Sequence, residues 1–226
     1  MLGLLRVLIL APLFRVAFRP TVIGRRNVPR RGPVIIASNH LSFIDSVVLT
    51  LLAPRRVAFL AKSEYFTGRG LKGWISRTFF TAVGAIPVDR GAIQAARDSL
   101  KRGQQTLEAG HAFAIYPEGT RSRDGRLYKG RTGVGWLATA TGAPIVPVAL
   151  AGTENLQPVG KRWLRRAKVT VKFGNPIWLQ DIELPQAQAQ VRRALTDAVM
   201  GKIHGLSGQE LADSYNVPPN KDAIEG

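Results

Sequence analysis

Short apolar segments alternate with helical stretches along this chain of 226 residues, and the alternation restricts the fold more than any other feature. Each apolar segment is rich in Val, Ile, Phe or Ala and is bounded by glycine, proline or charged residues, as buried strands are. The predicted strands are residues 33–37, 57–61, 85–88, 112–116, 144–149 and 169–173, and the predicted helices are 43–52, 71–82, 93–107, 132–141 and 186–200. This pattern predicts an α/β fold, a single domain with a central mostly parallel or mixed sheet flanked by helices.

The organisation of the chain follows from its periodicity. No internal repeat or linker is visible, and the length suits one α/β domain with a sizeable core. We expect residues 1–20 to form an N-terminal amphipathic membrane-associating segment and 21–200 to form the domain. The remainder, 201–226, is polar and loses periodicity, so it is predicted to be a flexible tail.

The N-terminal segment contains a short apolar run, 7–14, which Pro12 interrupts and which Arg15 and Arg19 follow. This run is far shorter than the ~20 residues that span a bilayer. Apolar residues mixed with arginines are typical of a helix that lies in the membrane interface. We therefore expect a peripheral or monotopic protein on the cytoplasmic face of the cell membrane. A terminal helix packed on the core of the domain is the alternative.

Charge and cysteine content limit the classes of function. Lys and Arg number 32 against 15 Asp and Glu, so the net charge is +17 and the expected partner is polyanionic, either nucleic acid or an anionic membrane surface. Cysteine is absent, which excludes disulfides and a cysteine nucleophile. The histidines, His40, His111 and His204, are scattered and indicate no metal site. We expect no metal and no resident cofactor.

A histidine and an aspartate, His40 and Asp45, follow the first predicted strand in the sequence Asn-His-Leu-Ser-Phe-Ile-Asp. α/β sheets place binding and catalytic groups just past a strand, and imidazole accepts a proton near neutral pH. Asp45 can orient the ring only if the chain turns between the two residues, because positions five apart on a straight helix point to different faces. The alternative is a capping role, since 42–45 also fits the S-x-x-[DE] capping box.

Two more segments that follow predicted strands carry arginines. Arg90 ends the sequence Gly-Ala-Ile-Pro-Val-Asp-Arg, and Arg121 lies in Tyr-Pro-Glu-Gly-Thr-Arg-Ser. A guanidinium group matches the geometry of phosphate, Thr120 adds a hydroxyl, and Gly119 allows the backbone to approach a ligand closely. Two arginines from separate strand ends can hold one phosphate beside the base. Solvated surface charges are the alternative in so basic a protein.

A candidate base beside two candidate phosphate-binding arginines indicates a substrate with a hydroxyl to deprotonate and a phosphate to hold. The G-x-S-x-G motif of a serine nucleophile elbow does not occur in the sequence. Direct attack of the hydroxyl on an acyl donor therefore fits the residues better than a covalent enzyme intermediate.

These segments resemble, in order, the four motifs of the 1-acyl-sn-glycerol-3-phosphate acyltransferase family. Residues 39–45 match N-H-x-x-x-x-D, 84–90 match G-x-I-x-[IV]-D-R, and 116–122 match [FY]-P-E-G-T-R-S. The fourth motif, [VI]-[VI]-P-V-[AG], matches 145–149. The four together cover roughly half of the chain.

The resemblance implies a role for each matched residue. His40 is expected to be the general base and Asp45 the residue that orients it. Arg90 and Arg121 are expected to bind the phosphate of the acceptor, in a site shaped by Glu118, Gly119 and Thr120. The expected donor is acyl-CoA or acyl-carrier protein, the acceptor a lysophospholipid, 1-acyl-glycerol-3-phosphate, and the product phosphatidic acid.

Three alternatives stay open from the sequence. The first is an acyltransferase that acts on another lysolipid or on an amino-acid lipid. The second is a dinucleotide-binding protein, because 68–73 reads G-x-G-x-x-G and Asp89 follows where a ribose-binding acid would stand. The third is a nucleic-acid-binding module that uses phosphate contacts, but no helix-turn-helix, zinc-finger or aromatic RNA-binding motif is present, so we expect no nucleic acid as a partner.

Overall fold

The computed structural model describes residues 5–88, 93–161, 163–182, 185 and 187–217. The helices are α1 (Ala11–Phe18), α2 (Asp45–Leu52), α3 (Glu64–Thr67), α4 (Gly70–Ala82), α5 (Ile93–Glu108), α6 (Gly133–Thr141), α7 (Thr153–Leu156) and α8 (Gln188–Ser207). The strands are β1 (Thr21–Ile23), β2 (Val34–Ser38), β3 (Val57–Lys62), β4 (Ala85–Val88), β5 (Ala112–Ile115), β6 (Leu127–Tyr128), β7 (Ile145–Ala151), β8 (Thr170–Phe173) and β9 (Leu211–Ala212). Each predicted strand and helix is present, with bounds that differ by one or two residues except at the end of α8, which lies seven residues beyond the predicted one.

Seven strands form one mixed sheet in the order β1-β8-β7-β2-β5-β3-β4. Strands β7, β2, β5, β3 and β4 are parallel, whereas β8 runs antiparallel to β7 and pairs in parallel with β1. The predicted α/β fold with a mostly parallel or mixed sheet is confirmed. All five residues of β2 are buried, because this strand lies at the centre of the sheet with helices on both faces.

The two faces of the sheet carry separate apolar cores. Val34 and Ile36 of β2 contribute to one core, together with α2 and part of α1, and Ile35 and Ala37 contribute to the other. The second core is formed with α6 and α8. This alternation follows from the two-residue period of a strand, which directs neighbouring side chains to opposite faces. The central strand is thereby held rigidly at the position from which His40 extends.

Three strands escape prediction, namely β1, β6 and β9. Each contains only two or three residues, too few to show an alternating pattern. Strands β6 and β9 form a separate parallel pair away from the main sheet. Pairing with a distant segment, rather than local sequence, defines these strands.

The N-terminal segment is helical from Leu5 and continues through a π-helical turn, Arg6–Leu10, into α1. Arg6 is buried, and its guanidinium donates hydrogen bonds to the carbonyl oxygens of Thr50, in the last turn of α2, and of Arg55, which follows that helix. The segment thus packs partly on the domain, as the alternative interpretation expected, while its other face carries exposed apolar residues. Those side chains are Val7, Leu8, Ile9, Leu13 and Val16. Within the described residues, no helix has the length and apolar character needed to cross a membrane.

Residues 201–217 are more ordered than their composition indicates. Helix α8 continues to Ser207, and β9 then pairs with β6. Residues 208–217 thus include a strand, and 218–226 lie outside the described residues. Buried residues such as Ile203 explain why the helix extends past the predicted end, since they pack in the second core.

The first and last glycines of the G-x-G-x-x-G segment, Gly68 and Gly73, are in close backbone contact, and the middle one, Gly70, has φ +67°. A Cβ on Gly73 would lie 2.0 Å from the carbonyl oxygen of Gly68, so the backbones of α3 and α4 meet at a distance that only glycine permits. The acid that the dinucleotide hypothesis needs, Asp89, lies outside the described residues. Backbone packing accounts for Gly68 and Gly73, and a left-handed backbone conformation for Gly70, without a nucleotide.

We predict opposite effects of alanine at two helical glycines. Gly73→Ala should lower the free energy of unfolding by about 1–3 kcal/mol, because its Cβ meets backbone that cannot yield. Gly201→Ala is the matched control, since a Cβ there meets nothing within 4 Å. It should raise stability by about 0.5–1 kcal/mol through helix propensity. Chemical denaturation followed by circular dichroism measures both, and a stabilising Gly73→Ala would contradict the proposed contact.

Candidate active site

The site lies at the edge of the sheet where the parallel strands end. His40 follows β2, the loop 116–121 follows β5, and Leu150 lies near the end of β7. Because β5 and β7 flank β2 on either side, their ends converge on His40. Ligands of open α/β sheets bind at this edge.

The chain turns between His40 and Asp45 so that the two side chains meet. The imidazole Nδ1 lies 2.8 Å from Asp45 Oδ2. The same oxygen accepts hydrogen bonds from the backbone N–H groups of Leu41, at 2.6 Å, and Ser42, at 2.8 Å. Asp45 therefore holds both the turn and the ring. The predicted capping box is not formed, because α2 begins at Asp45 with Ile44 as its N-cap and the Ser42 hydroxyl donates to the carbonyl of Gln157.

The contact with Asp45 assigns the tautomer of His40. A carboxylate only accepts hydrogen bonds, so Nδ1 carries the proton and Nε2 keeps its lone pair. The Asp45 side chain is completely buried, whereas 16% of the His40 side chain is exposed. The ring is thus anchored on its protein side and can accept a proton from a ligand on its solvent side.

Tyr116 fixes the plane of the imidazole, a role that the motif match did not assign. Its ring stacks on that of His40 with centroids 3.9 Å apart and planes at 13°. The hydroxyl lies 2.8 Å from Ser46 Oγ, which ties the aromatic ring to the first turn of α2. Burial raises the pKa of the Tyr116 hydroxyl well above its usual value, and the charge of Asp45 adds to the effect. Tyr116 therefore stays a neutral platform beneath His40.

Glu118, which the resemblance assigns to the shape of the phosphate site, joins two loops from a buried position. Its side chain is fully buried. Oε1 accepts the backbone N–H of His40 at 3.0 Å, and Oε2 accepts that of Tyr128 at 3.1 Å. Burial raises the pKa of Glu118 to about 7, although the two backbone donors act in the opposite direction. Glu118 thereby fixes the backbone of His40 relative to that of Tyr128.

The other predicted residues of this loop lie beside the base. Gly119 has φ +80°, a left-handed conformation that favours glycine, and the Arg131 side chain passes 2.9 Å from where its Cβ would stand. Thr120 and Arg121 are partly exposed. The next residue, Ser122, donates its N–H to the carbonyl of His40 at 2.8 Å. The base and this candidate anion loop are therefore directly hydrogen-bonded.

Arg90, the second predicted phosphate ligand, lies outside the described residues. The strand that precedes it, β4, ends at Val88 on the same edge of the sheet as His40.

Asn39 is a buried connector that the motif includes but whose role the sequence does not reveal. Its Oδ1 accepts the N–H of Leu150 at 2.8 Å, and its Nδ2 donates to the Leu150 carbonyl at 2.9 Å and to Gln209 Oε1 at 2.8 Å. The amide side chain thereby continues the pairing of β2 with β7 by one step. All these donors and acceptors are satisfied, so the residue before the base is held rigidly.

The raised pKa of Glu118 predicts a pH-dependent stability. Folded Glu118 keeps its proton up to about pH 7, whereas the unfolded chain releases it near 4.5. Between these values the folded state binds the extra proton, so stability falls as the pH rises and is level above about 7. Relative to Glu118→Gln, the native protein should lose about 3 kcal/mol of unfolding free energy across this interval.

Urea unfolding at a series of pH values from 4 to 8 tests this expectation, because groups common to both proteins cancel in the difference. Exposed Glu154 supplies the control. The difference in unfolding free energy between the native protein and Glu154→Gln should be constant over this pH series. A Glu118→Gln difference that is also constant with pH would contradict the raised pKa.

Comparison with known proteins identifies the family. The acyltransferase family model matches residues 19–151. The chloroplastic 1-acyl-sn-glycerol-3-phosphate acyltransferase of Brassica napus is 32% identical over 163 residues, which is 71% of this chain and 46% of that protein. That of Borreliella burgdorferi is 28% identical over 152 residues, 67% of this chain and 59% of that protein. The chain thus spans about half the length of the curated relatives it matches.

A solved structure has the same fold. The 1-acyl-sn-glycerophosphate acyltransferase PlsC from Thermotoga maritima superimposes with a TM-score of 0.63 at 26% identity, covering 83% of this chain and 71% of that one. The four motifs, which occupy residues 39–149, all lie inside the range that the family model matches. That range exceeds half of the chain and contains both the His40–Asp45 pair and the loop that carries Arg121. The chain therefore belongs to the acyltransferase family.

Proposed function

We propose that the protein transfers a fatty acyl group from a thioester to the free hydroxyl of 1-acyl-glycerol-3-phosphate, which gives phosphatidic acid. The observation that carries the proposal is the His40–Asp45 pair, 2.8 Å apart, with the free ring nitrogen directed away from a buried carboxylate. The names of the relatives, which describe transfer to this acceptor, support the choice of substrate.

The reaction needs one proton acceptor and no covalent enzyme intermediate. His40 Nε2 takes the proton of the acceptor hydroxyl while its oxygen bonds to the thioester carbonyl carbon. The carbon–sulfur bond then breaks, and the departing thiolate takes the proton back from the imidazolium, so the enzyme is regenerated. Asp45 stabilises the imidazolium by accepting the hydrogen bond of its Nδ1–H, and the stacked ring of Tyr116 fixes the orientation of the imidazole plane.

The anion loop supplies the site for the acceptor phosphate in this proposal. Arg121 lies one residue before Ser122, whose N–H bonds the carbonyl of His40, so a phosphate held by Arg121 stays near the base. Gly119 allows close backbone approach. We assign Arg90 to the same phosphate on the resemblance of its motif. Holding both reactants in one orientation removes much of the entropic barrier to reaction.

The donor that we propose is acyl-CoA or acyl-carrier protein, with no metal or resident cofactor. A different lysolipid or an amino-acid lipid as acceptor is the second candidate, because a guanidinium group binds a carboxylate as well as a phosphate.

An acyl-transfer assay tests the proposal. Purified protein in mild detergent is given radiolabelled acyl-CoA or acyl-carrier protein with lysophosphatidic acid, and labelled phosphatidic acid is quantified. His40→Ala should lower kcat by at least about 100-fold, since general-base catalysis contributes 10²–10⁴-fold. His111→Ala is the control, because His111 is exposed before β5 at the opposite end of that strand from the site.

The variants separate the outcomes of the assay. A folded His40→Ala protein with native activity would exclude His40 as the base and leave the reaction standing. No product with either donor would exclude this acceptor, and other lysolipids and amino-acid lipids would then be tested.

We also propose that the catalytic edge faces an anionic membrane. A cleft of about 670 Å³ lies between the end of α1 and the chain before β8, and its lining includes Val16, Arg19, Arg166 and Lys168. Within the described part of the chain, none of these three cations forms an ion pair. Such a basic cleft suits anionic headgroups.

Sheet topology places this cleft on the same edge as the base. Arg19 precedes β1 and Lys168 precedes β8, and both strands run opposite to β7 and β2. Their starting ends therefore lie beside the finishing end of β2. Three strand spacings separate β1 from β2, which is about 14 Å. A membrane bound at the cleft is near enough to present its lipids to His40.

Exposed apolar side chains surround this edge. Val16 lines the cleft and is 76% exposed, and Trp163, near the cleft in sequence, is 87% exposed. Leu71 and Trp74 are also exposed at the start of α4, which follows β3 and therefore begins at the same edge. Apolar and basic residues combined are typical of interfacial binding. On this basis we assign peripheral or monotopic binding to the cytoplasmic face of the cell membrane.

Charge reversal tests the membrane-facing edge. The triple variant Arg19→Glu, Arg166→Glu, Lys168→Glu should bind vesicles of phosphatidylcholine and phosphatidylglycerol, mixed two to one, at least about tenfold more weakly, since each basic residue near such a surface contributes ~1 kcal/mol. Co-sedimentation measures the binding. The control, Arg97→Glu, Lys101→Glu, Arg102→Glu, changes net charge equally on α5, which packs on the other core. Equal weakening of both variants would show a general effect of charge without a defined face.

A further inference from the structure

The chain that follows α8 lies against both loops of the candidate site. We call residues 209–216 the C-terminal strap. The strap is outside the range 19–151 that the family model matches, and no sequence motif includes it. Its contacts with the base loop and with the anion loop are specific hydrogen bonds.

Gln209 bridges the two loops with its side-chain amide. Oε1 accepts a hydrogen bond from Asn39 Nδ2 at 2.8 Å, and Nε2 donates to the Gly125 carbonyl at 2.7 Å. Asn39 is the fully buried residue immediately before the base. Gly125 belongs to the loop that continues from Arg121. A single side chain thus connects the residue next to His40 with the segment next to the anion loop.

The rest of the strap follows the 127–131 segment closely. The N–H of Leu127 donates to the Glu210 carbonyl at 2.8 Å, and that of Lys129 donates to the Ser214 carbonyl at 3.0 Å. Further along, Arg131 Nη2 donates to the Asn216 carbonyl at 3.1 Å. Since Glu118 accepts the N–H of Tyr128, the strap also holds the segment to which Glu118 ties the base.

Removal of the Gln209 amide has a defined local consequence. The two N–H bonds of Asn39 Nδ2 are both used, one by Leu150 and one by Gln209. Without Gln209, one N–H of a buried amide loses its partner, which is costly, and the side chain rotates or admits water. Either change moves the backbone that leads into His40.

We propose that Gln209 is a positioning residue for acyl transfer. It sets the base loop, which contains Asn39 and His40, at a fixed separation from the loop that runs from Arg121 to Gly125. This inference rests on the proposed function, because it assigns Gln209 to that reaction. Gln209 touches neither reactant and acts through Asn39 and the 116–125 loop. Its effect therefore falls on the alignment of His40 and less on the binding of either substrate.

Steady-state kinetics of matched variants test this role. Gln209→Met keeps the length of the side chain and removes both hydrogen bonds, and it should lower kcat about tenfold while KM for donor and acceptor stays within twofold. Gln209→Glu retains the acceptor for Asn39 and should fall between Gln209→Met and the native protein. Gln190→Met, at an exposed site on α8, is the control and should have native kcat.

Proton NMR of the His40 Nδ1–H gives a readout that a purely structural role would not change. The resonance is assigned by its loss in His40→Ala. It should shift or broaden in folded Gln209→Met and stay unchanged in Gln190→Met. This measurement needs no turnover, so it tests the positioning of His40 even if lysophosphatidic acid is not the acceptor and the proposed function fails.

Two results would overturn the inference. One is native kcat in folded Gln209→Met. The other is an unchanged Nδ1–H resonance in a variant whose activity declines only with its folded fraction, which would reduce Gln209 to a stabilising contact.

Discussion

One carboxylate oxygen organises the candidate site. Oδ2 of Asp45 accepts the backbone N–H groups of Leu41 and Ser42 and also contacts the imidazole of His40, all within 2.8 Å. The first two bonds make the turn that brings His40 back towards Asp45, and the third fixes the ring. A fully buried carboxylate demands such partners, because burial of an unpaired charge is costly. The same requirement therefore produces both the local fold and the orientation of the base.

Buried polar side chains extend this arrangement outward. Glu118 and Asn39 are both fully buried, and each joins the base loop to a segment that is distant in sequence. Their hydrogen bonds contribute modestly to stability, but loss of one partner leaves a buried group unsatisfied. Such networks are effective at specifying a single geometry. They explain how loops, which are generally mobile, can hold a base and an anion site in register.

Most of the fold can be predicted from the sequence, because buried strands and amphipathic helices each leave a hydrophobic pattern in their own residues. Residues 34–37 of β2 are apolar and fully buried on both faces, so the strand reads as a continuous apolar run. The short strands β1, β6 and β9 could not be predicted, because two or three residues carry no period and their pairing partners are far away in sequence. The extent of α8 was underestimated for a related reason, since residues such as Ile203 reveal their burial only when the second core is assembled.

The sequence by itself determined the class of fold, the family and the chemical identity of the candidate groups. Motif spacing carries this information because it records which side chains follow which strand. Only the tertiary structure decided how those groups are used. It brought His40 to Asp45 through a turn, directed Glu118 inward to backbone donors, placed Tyr116 beneath the imidazole and joined Gln209 to Asn39. The physical reason is that the last three contacts link residues from separate strands and loops, whose distances are set by packing and topology. The His40–Asp45 contact is local, but it depends on a turn that residue spacing alone does not fix.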